Sequence, residues 1–137
     1  MKIRIYYEDT DAGGIVYHAN YLKYCERARS ELFFERGRMP FGEDRSGFVV
    51  RRIEADFLGM ALLGDLLEVH TESLRQTRSS VRLHQWITRG EETIYSMEIL
   101  LVYLVDARPR RIPDELLSVL SDLKAQSIET DGFESYE

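Results

Sequence analysis

Only one segment in the first hundred residues of this chain has a helical period, and alternating runs joined by short connections follow it. From about Asn20 to Arg36, Tyr21, Cys25, Ala28 and Leu32 recur at helical spacing, while Lys23, Arg27, Ser30 and Glu31 fall elsewhere on the wheel. Asn20 is the expected N-cap, and Gly37 with Pro40 closes the helix. Downstream, Ile53, Ala55 and Phe57 alternate with charged neighbours, as do Leu67, Val69 and Thr71, then Val81, Leu83 and Ile87. Residues 93–105 put Tyr95, Met97, Ile99, Leu101, Tyr103 and Val105 on one face. The connections at 59–65, 76–78 and 90–92 suit antiparallel neighbours and are too short for crossover helices. A doubly wound parallel fold is thereby excluded.

Two elements complete the order. Residues 2–7 alternate, with Ile3, Ile5 and Tyr7 on one side of a half-buried strand. Pro113 marks the start of a terminal helix, with Asp114 and Glu115 in its first turn and Leu116, Val119, Leu120 and Leu123 as its apolar stripe. An antiparallel sheet with one apolar face needs a cover, and the long helix is the available one. The expected class is α+β, one helix layer on one sheet.

The chain has 137 residues, enough for one domain without a disulfide or metal staple. We expect that domain over 1–128, followed by an acidic tail, 129–137, holding Glu129, Asp131, Glu134 and Glu137. The net charge of −6 argues against a nucleic-acid partner, and with the tail set aside the body is near neutral, so a local basic patch for an anionic ligand is compatible with it. A lone cysteine, Cys25, points to a reducing compartment. The N-terminus has no apolar stretch ahead of its acids, and no window reaches the ~18 apolar residues of a membrane span. The expected location is the cytoplasm.

The densest polar cluster, Glu8 to Tyr21, lies between the first strand and the long helix. N–H groups at a helix start are unpaired and partly positive, so they can polarise a carbonyl and stabilise its oxyanion. A carboxylate beside them can attack that carbonyl or activate water. Asp-Thr-Asp before a glycine pair also suits a plain turn. A calcium loop fails, because Asn20 stands where the bidentate acid belongs. An aspartate phosphotransferase needs alternating helix–strand units, which are absent here.

The run Tyr6-Tyr7-Glu8-Asp9-Thr10-Asp11-Ala12-Gly13-Gly14-Ile15-Val16-Tyr17-His18-Ala19-Asn20-Tyr21 resembles the signature of the YbgC-type acyl-CoA thioesterases. These are relatives of the 4-hydroxybenzoyl-CoA thioesterases in the hot-dog superfamily. The similarity continues through Glu26-Arg27-Ala28-Arg29 and Phe48-Val49-Val50-Arg51, and more weakly through Gly64-Asp65-Leu66-Leu67-Glu68-Val69. The resemblance implies a long central helix wrapped by a five-stranded antiparallel sheet, in dimers or dimers of dimers (a homotetramer) with active sites at the dimer interface. It implies Asp11 as the catalytic carboxylate, Asp9 as a support of the loop and His18 as a second active-site residue. Gly14 and Tyr17 are the expected substrate contacts in the same loop. The 4-hydroxybenzoyl-specific relatives have Tyr-Pro where this chain has His18-Ala19, which disfavours that substrate.

Coenzyme A brings phosphate charge. Arg75, Arg78 and Arg82 cluster at one turn, and Arg108, Arg110 and Arg111 follow the last long strand. The resemblance favours Arg78 as the CoA contact. His70 and His84 fall on polar strand faces and are expected to be solvated, and Cys25 is expected in the core. The substrate expected is an acyl-CoA, cleaved without a metal or redox cofactor. The alternatives are a hot-dog dehydratase, or a silent acyl-CoA-binding or scaffold protein of the same fold.

Overall fold

A computed structural model describes residues 1–42 and 44–129 of the chain. Its elements run β1 (Lys2–Arg4), one 3-10 turn (Tyr7–Asp9), α1 (Asn20–Phe34), β2 (Ser46–Phe57), β3 (Leu66–Gln76), β4 (Ser80–Arg89), β5 (Glu92–Val105), β6 (Arg108–Pro109) and α2 (Asp114–Glu129). All strand pairings are antiparallel, in the order β1-β3-β4-β5-β2, with β6 against β5. This is the α+β hot-dog architecture expected, with a sixth, two-residue strand added. Of the acidic segment 129–137, only Glu129 lies within the described residues, as the last residue of α2.

The sheet wraps α1 because its inward face is apolar and its strands bend. Leu67, Val69, Leu83, Ile87, Met97 and Ile99 are buried and belong to one core with Tyr21, Tyr24, Cys25, Ala28 and Phe33 of α1. Register shifts at Val50/Arg52, Ser73/Arg75 and Ile87/Thr88 interrupt the ladders, and such bulges increase local twist and bend. Buried Gln85 spans the layers, donating to Cys25 O (3.0 Å) and Thr71 Oγ1 (3.0 Å). The turn at the end of α1 is closed by Gly37 at φ +68°, whose N–H bonds Phe34 O while that of Arg38 bonds Phe33 O. On α2, all four residues of the expected stripe are buried.

The first strand is shorter than its alternation predicts. Asp9 Oδ2 accepts the Tyr6 N–H (2.8 Å), and the chain turns into the 3-10 segment. Ile5 is fully buried as expected, whereas Tyr7 faces solvent. Among the described residues β2 is an edge strand, paired with β5 and touched at its start by Phe41 and Gly42, and it exposes Val49, Val50, Ile53 and Phe57. No helix among the described residues is long and apolar enough to cross a membrane.

Candidate active site

Residues 8–20 fold through bonds that their own side chains supply. The Asp11 N–H bonds Ile15 O (2.8 Å) and the Gly14 N–H bonds Asp11 O (3.0 Å), closing a tight turn. That turn needs φ +80° at Gly14, where a side chain would be strained. The Gly13 N–H donates to Asp11 Oδ1 at 2.8 Å, and a Cβ at residue 13 would stand 3.3 Å from the same oxygen. Asp11 Oδ2 makes no hydrogen bond among the described residues, and Asp11 is exposed. One oxygen is anchored; the other remains available.

Asp9 holds the rest of the loop. Its carbonyl accepts Tyr17 N–H (3.2 Å) and Asn20 Nδ2 (2.9 Å), while its carboxylate accepts Tyr6 N–H. Asn20 is therefore not the N-cap expected of it. Ala19 occupies that position, no side chain caps the helix, and Asn20 is the first helical residue. The Asn20 N–H bonds Tyr17 O (2.9 Å), and no side-chain oxygen occupies the first-turn donors that follow it, which leaves those for a ligand.

Tyr17 and His18 are exposed beside the helix start, their ring centroids 4.6 Å apart, with Phe57 edge-on to His18 at 6.1 Å. Beneath them Tyr21 stacks on Tyr95 at 5.1 Å. Gly14, Tyr17, His18 and Asp11 thus share one loop at one end of the sheet, and among the described residues no hydrogen bond joins Asp11 to His18.

A brace that the sequence did not reveal fixes this loop to the sheet. Ala61 O accepts the Val16 N–H (2.9 Å), Tyr21 Oη meets the Ala61 N–H (3.2 Å), and Ile15 bridges Leu62. Asp65 Oδ2 accepts Leu62 N–H (2.8 Å) and Arg89 Nη1 (2.8 Å), and Arg89 also reaches Met60 O and Glu92. Burial opposes the charge on Asp65, but the Leu62 N–H and the Arg89 guanidinium outweigh it and hold the carboxyl below its ordinary range. The weak resemblance around Gly64-Asp65 was the only trace of this brace in the sequence.

The two arginine clusters converge in part. Arg78, from the β3–β4 turn, and Arg111, ahead of α2, line one cavity of about 370 Å³ with Gln76, Thr77 and Leu117. The Ile112 N–H bonds Arg78 O at 2.7 Å, which ties the two segments together. Arg82 instead pairs with Glu98, and Arg110 bonds the Pro109 carbonyl. This cavity lies at the opposite end of the sheet from Asp11. β4, which runs between the ends, has 10 residues, roughly 33 Å at ~3.3 Å each.

Three other side chains complete the inventory. Cys25 is fully buried, and burial pushes its thiol up to about 12, so it is an inert packing group. His70 and His84 are not solvated as expected. Trp86 stacks between them, at 5.0 Å and 4.6 Å, and His84 is buried with Nδ1 at Glu72 Oε1 (3.1 Å) and Nε2 at Ser96 Oγ (2.9 Å). His70 is half-buried, with Nε2 at Thr88 Oγ1 (2.9 Å), so the Trp86 ring covers one imidazole in part while His84 is taken out of water, which polar alternation alone cannot signal.

Known proteins resemble this chain in sequence and in architecture. The profile of the family described as "Thioesterase superfamily" matches residues 13–95. The "Acyl-CoA thioesterase YbgC" of Helicobacter pylori is 53% identical over 87 residues, 64% of this chain and 65% of that protein, a little under two thirds of its length. The "Acyl-CoA thioester hydrolase YbgC" of Escherichia coli O157:H7 is 36% identical over 121 residues, 85% of this chain and 90% of that protein. Among solved structures, a thioesterase from Thermus thermophilus complexed with coenzyme A and Zn superposes with a TM-score of 0.75 at 29% identity, covering 91% of this chain and 92% of that one.

Proposed function

The chain belongs to the thioesterase superfamily, in its YbgC-type branch, and on that footing we propose that it hydrolyses acyl-CoA thioesters to the free acid and CoA. One observation carries the assignment of the site. The Asp11 carboxylate is anchored through Oδ1 with Oδ2 unpaired, in the loop that ends at an uncapped helix start. In this reading the first-turn N–H groups of α1 receive the thioester carbonyl, and charge develops on its oxygen as the carbon is attacked. Asp11 Oδ2 either adds to that carbon, expelling CoA thiolate to leave a mixed anhydride that water opens, or takes a proton from a water that adds instead. His18 orients that water or transfers its proton. Gly14 and Tyr17 line the entry.

The nucleotide end requires a second copy. Within one protomer the Arg78–Arg111 cavity is a sheet's length from Asp11. The free edge of β2 exposes apolar residues, with Val50 48% and Phe57 54% accessible, and an identical strand is the natural cover. Antiparallel pairing of two β2 edges about a two-fold axis reverses the second sheet. It thereby brings the arginine end of one copy toward the Asp11 end of the other, and Arg78 then meets CoA phosphate across the interface. The assembly is this dimer, or a tetramer of two such dimers. Residues 1–128 act here as a single catalytic domain, and the unpaired, buried Cys25 accords with a cytoplasmic setting.

Hydrolysis of short- to long-chain acyl-CoA, followed by absorbance of the thioester, tests the proposal. Asp11→Asn keeps the Oδ1 anchor and is expected to lower kcat by about 10²- to 10⁴-fold with the fold and oligomer intact. Absence of turnover by the wild type on every thioester, or undiminished activity in Asp11→Asn, would leave a silent binding protein as the better account.

A further inference from the structure

Two cavities adjoin between α1 and the β2–β5 side of the sheet. The first, about 220 Å³, is lined by Leu22, Val50, Ile53 and Met97, and the second, about 150 Å³, continues past Phe33 and Leu83. Arg29, Glu26 and Val50 line both, so the guanidinium of Arg29 stands at the junction of an otherwise largely apolar groove. The groove follows α1 away from the helix start, the direction in which an acyl chain extends once its carbonyl sits at the first-turn N–H groups.

Arg29 is half-buried and underused. Among the described residues its guanidinium makes one hydrogen bond, from Nη1 to Gln85 Oε1 at 2.8 Å, and no carboxylate lies within ion-pair distance. Gln85 is itself pinned by Cys25 O and Thr71 Oγ1, so it holds the guanidinium at a fixed depth. Glu26 acts on Arg29 only through space, and it is exposed to solvent that screens it. A guanidinium has five donors in a fixed fork that matches a carboxylate. A plain hydrocarbon laid across it would strip water from those donors and return nothing. Arg29 follows the first residue of α1 by nine positions, roughly 13 Å along the axis at ~1.5 Å per residue.

We propose that Arg29 reads the far end of the acyl group and selects CoA thioesters whose chain carries a distal carboxylate. The proposal rests on the thioesterase reading of the Asp11 site and names its substrate class. The bidentate pair forms outside the reacting centre, so Arg29 is a specificity residue; the thioester chemistry is untouched by it.

The test compares ω-carboxyacyl-CoA with the unsubstituted acyl-CoA of equal length, across a short-to-medium series, in wild type and Arg29→Met. The expected result is a wild-type kcat/KM preference for the carboxylate on the order of 10- to 100-fold at the matching length, lost in Arg29→Met and partly kept in Arg29→Lys. A merely structural arginine would lower both substrates together and leave their ratio alone. If Arg29→Met does not fold, a several-fold drop of the ratio in Arg29→Lys supports the proposal equally. A wild-type preference for the plain chain overturns the proposal. So does a ratio unmoved by either variant, the result when an acid of a second copy occupies the guanidinium. Calorimetric binding of the same thioesters to Asp11→Asn, with and without Arg29→Met, reads the preference without turnover. A preference seen there while wild type cleaves nothing would sink the hydrolase reading alone.

Discussion

The Asp11 end and the arginine end of the sheet hold their charges in opposite ways. Asp11 is fixed by its own turn, through Gly13, Gly14 and Ile15, and that turn is fastened to Ala61 and Leu62 by backbone bonds. Arg78 has only its backbone tied, through the Ile112 N–H, and its guanidinium makes no hydrogen bond among the described residues. A group that attacks a carbon must be placed within fractions of an ångström, whereas a group that grips a mobile polyphosphate gains from reach. The difference separates a chemical end from a binding end, and kinetics can tell them apart.

The largest effect expected away from the reacting carboxylate lies at the arginine end. Arg78→Ala combined with Arg111→Ala should raise KM for acyl-CoA by about 10- to 100-fold and leave kcat near wild type. The same protein should cleave an acyl-pantetheine, which lacks the nucleotide, as wild type does. The Arg78 contribution should also weaken as salt is added, because an exposed charge is screened beyond ~10 Å at 0.1 M. A fall in kcat with KM unchanged would break the division between the two ends.

Asp65→Ala addresses the other side of the comparison. It leaves the Leu62 N–H and Arg89 without their shared partner, and so loosens the segment that carries Ala61 and Val16. Chemical denaturation should show a loss of about 1–2 kcal/mol near neutral pH, and kcat should fall more than KM rises. The folded carboxyl lies below its ordinary value, so its contribution is complete above the unfolded pKa of about 3.9 and lost as pH falls through the folded one. The gap between wild type and Asp65→Ala should therefore close only at strongly acid pH. A gap constant from neutral to that limit would show that the Arg89 pair contributes nothing.

What the sequence disclosed follows the same division. The Asp11 turn, the α1 stripe and the α2 stripe are contiguous, so their spacing displays them directly. The first half of β2, residues 46–52, shows no alternation, because consecutive Val49 and Val50 are both exposed and the register shifts between Val50 and Arg52, which breaks a period of two; only the resemblance at Phe48-Val49-Val50-Arg51 touched it. Asn20 was misassigned because capping and side-chain bonding to a distant carbonyl place the same demand on residue type, and Asp9 O won. The Arg29–Gln85 and Asp65–Arg89 contacts join residues 56 and 24 positions apart, and no local period encodes such pairs.

The smallest effect tests how the arginine end is delivered. β5 turns into β6 through Asp106 and Ala107, both at positive φ, +52° and +68°. Two successive left-handed residues make the tight hairpin whose twist suits its strands, a turn that favours glycine at its second position. Alanine there brings Cβ against the following carbonyl at about 1–2 kcal/mol, offset in part because glycine loses more freedom on folding. Ala107→Gly should therefore stabilise the protein by about 0.5–1 kcal/mol, read as a rise of a few degrees in Tm. The hairpin sets where Arg111 enters its cavity, so KM decides what the strain is for. An unchanged KM in the stabilised variant would mean the turn only reverses the chain, with any alanine strain there unrelated to binding. A raised KM would mean that the strained turn, with the Arg111 Nη2 bond to Asp114 Oδ1 (2.9 Å), holds Arg111 at the nucleotide, making the binding end less mobile than the unbonded Arg78 guanidinium suggests.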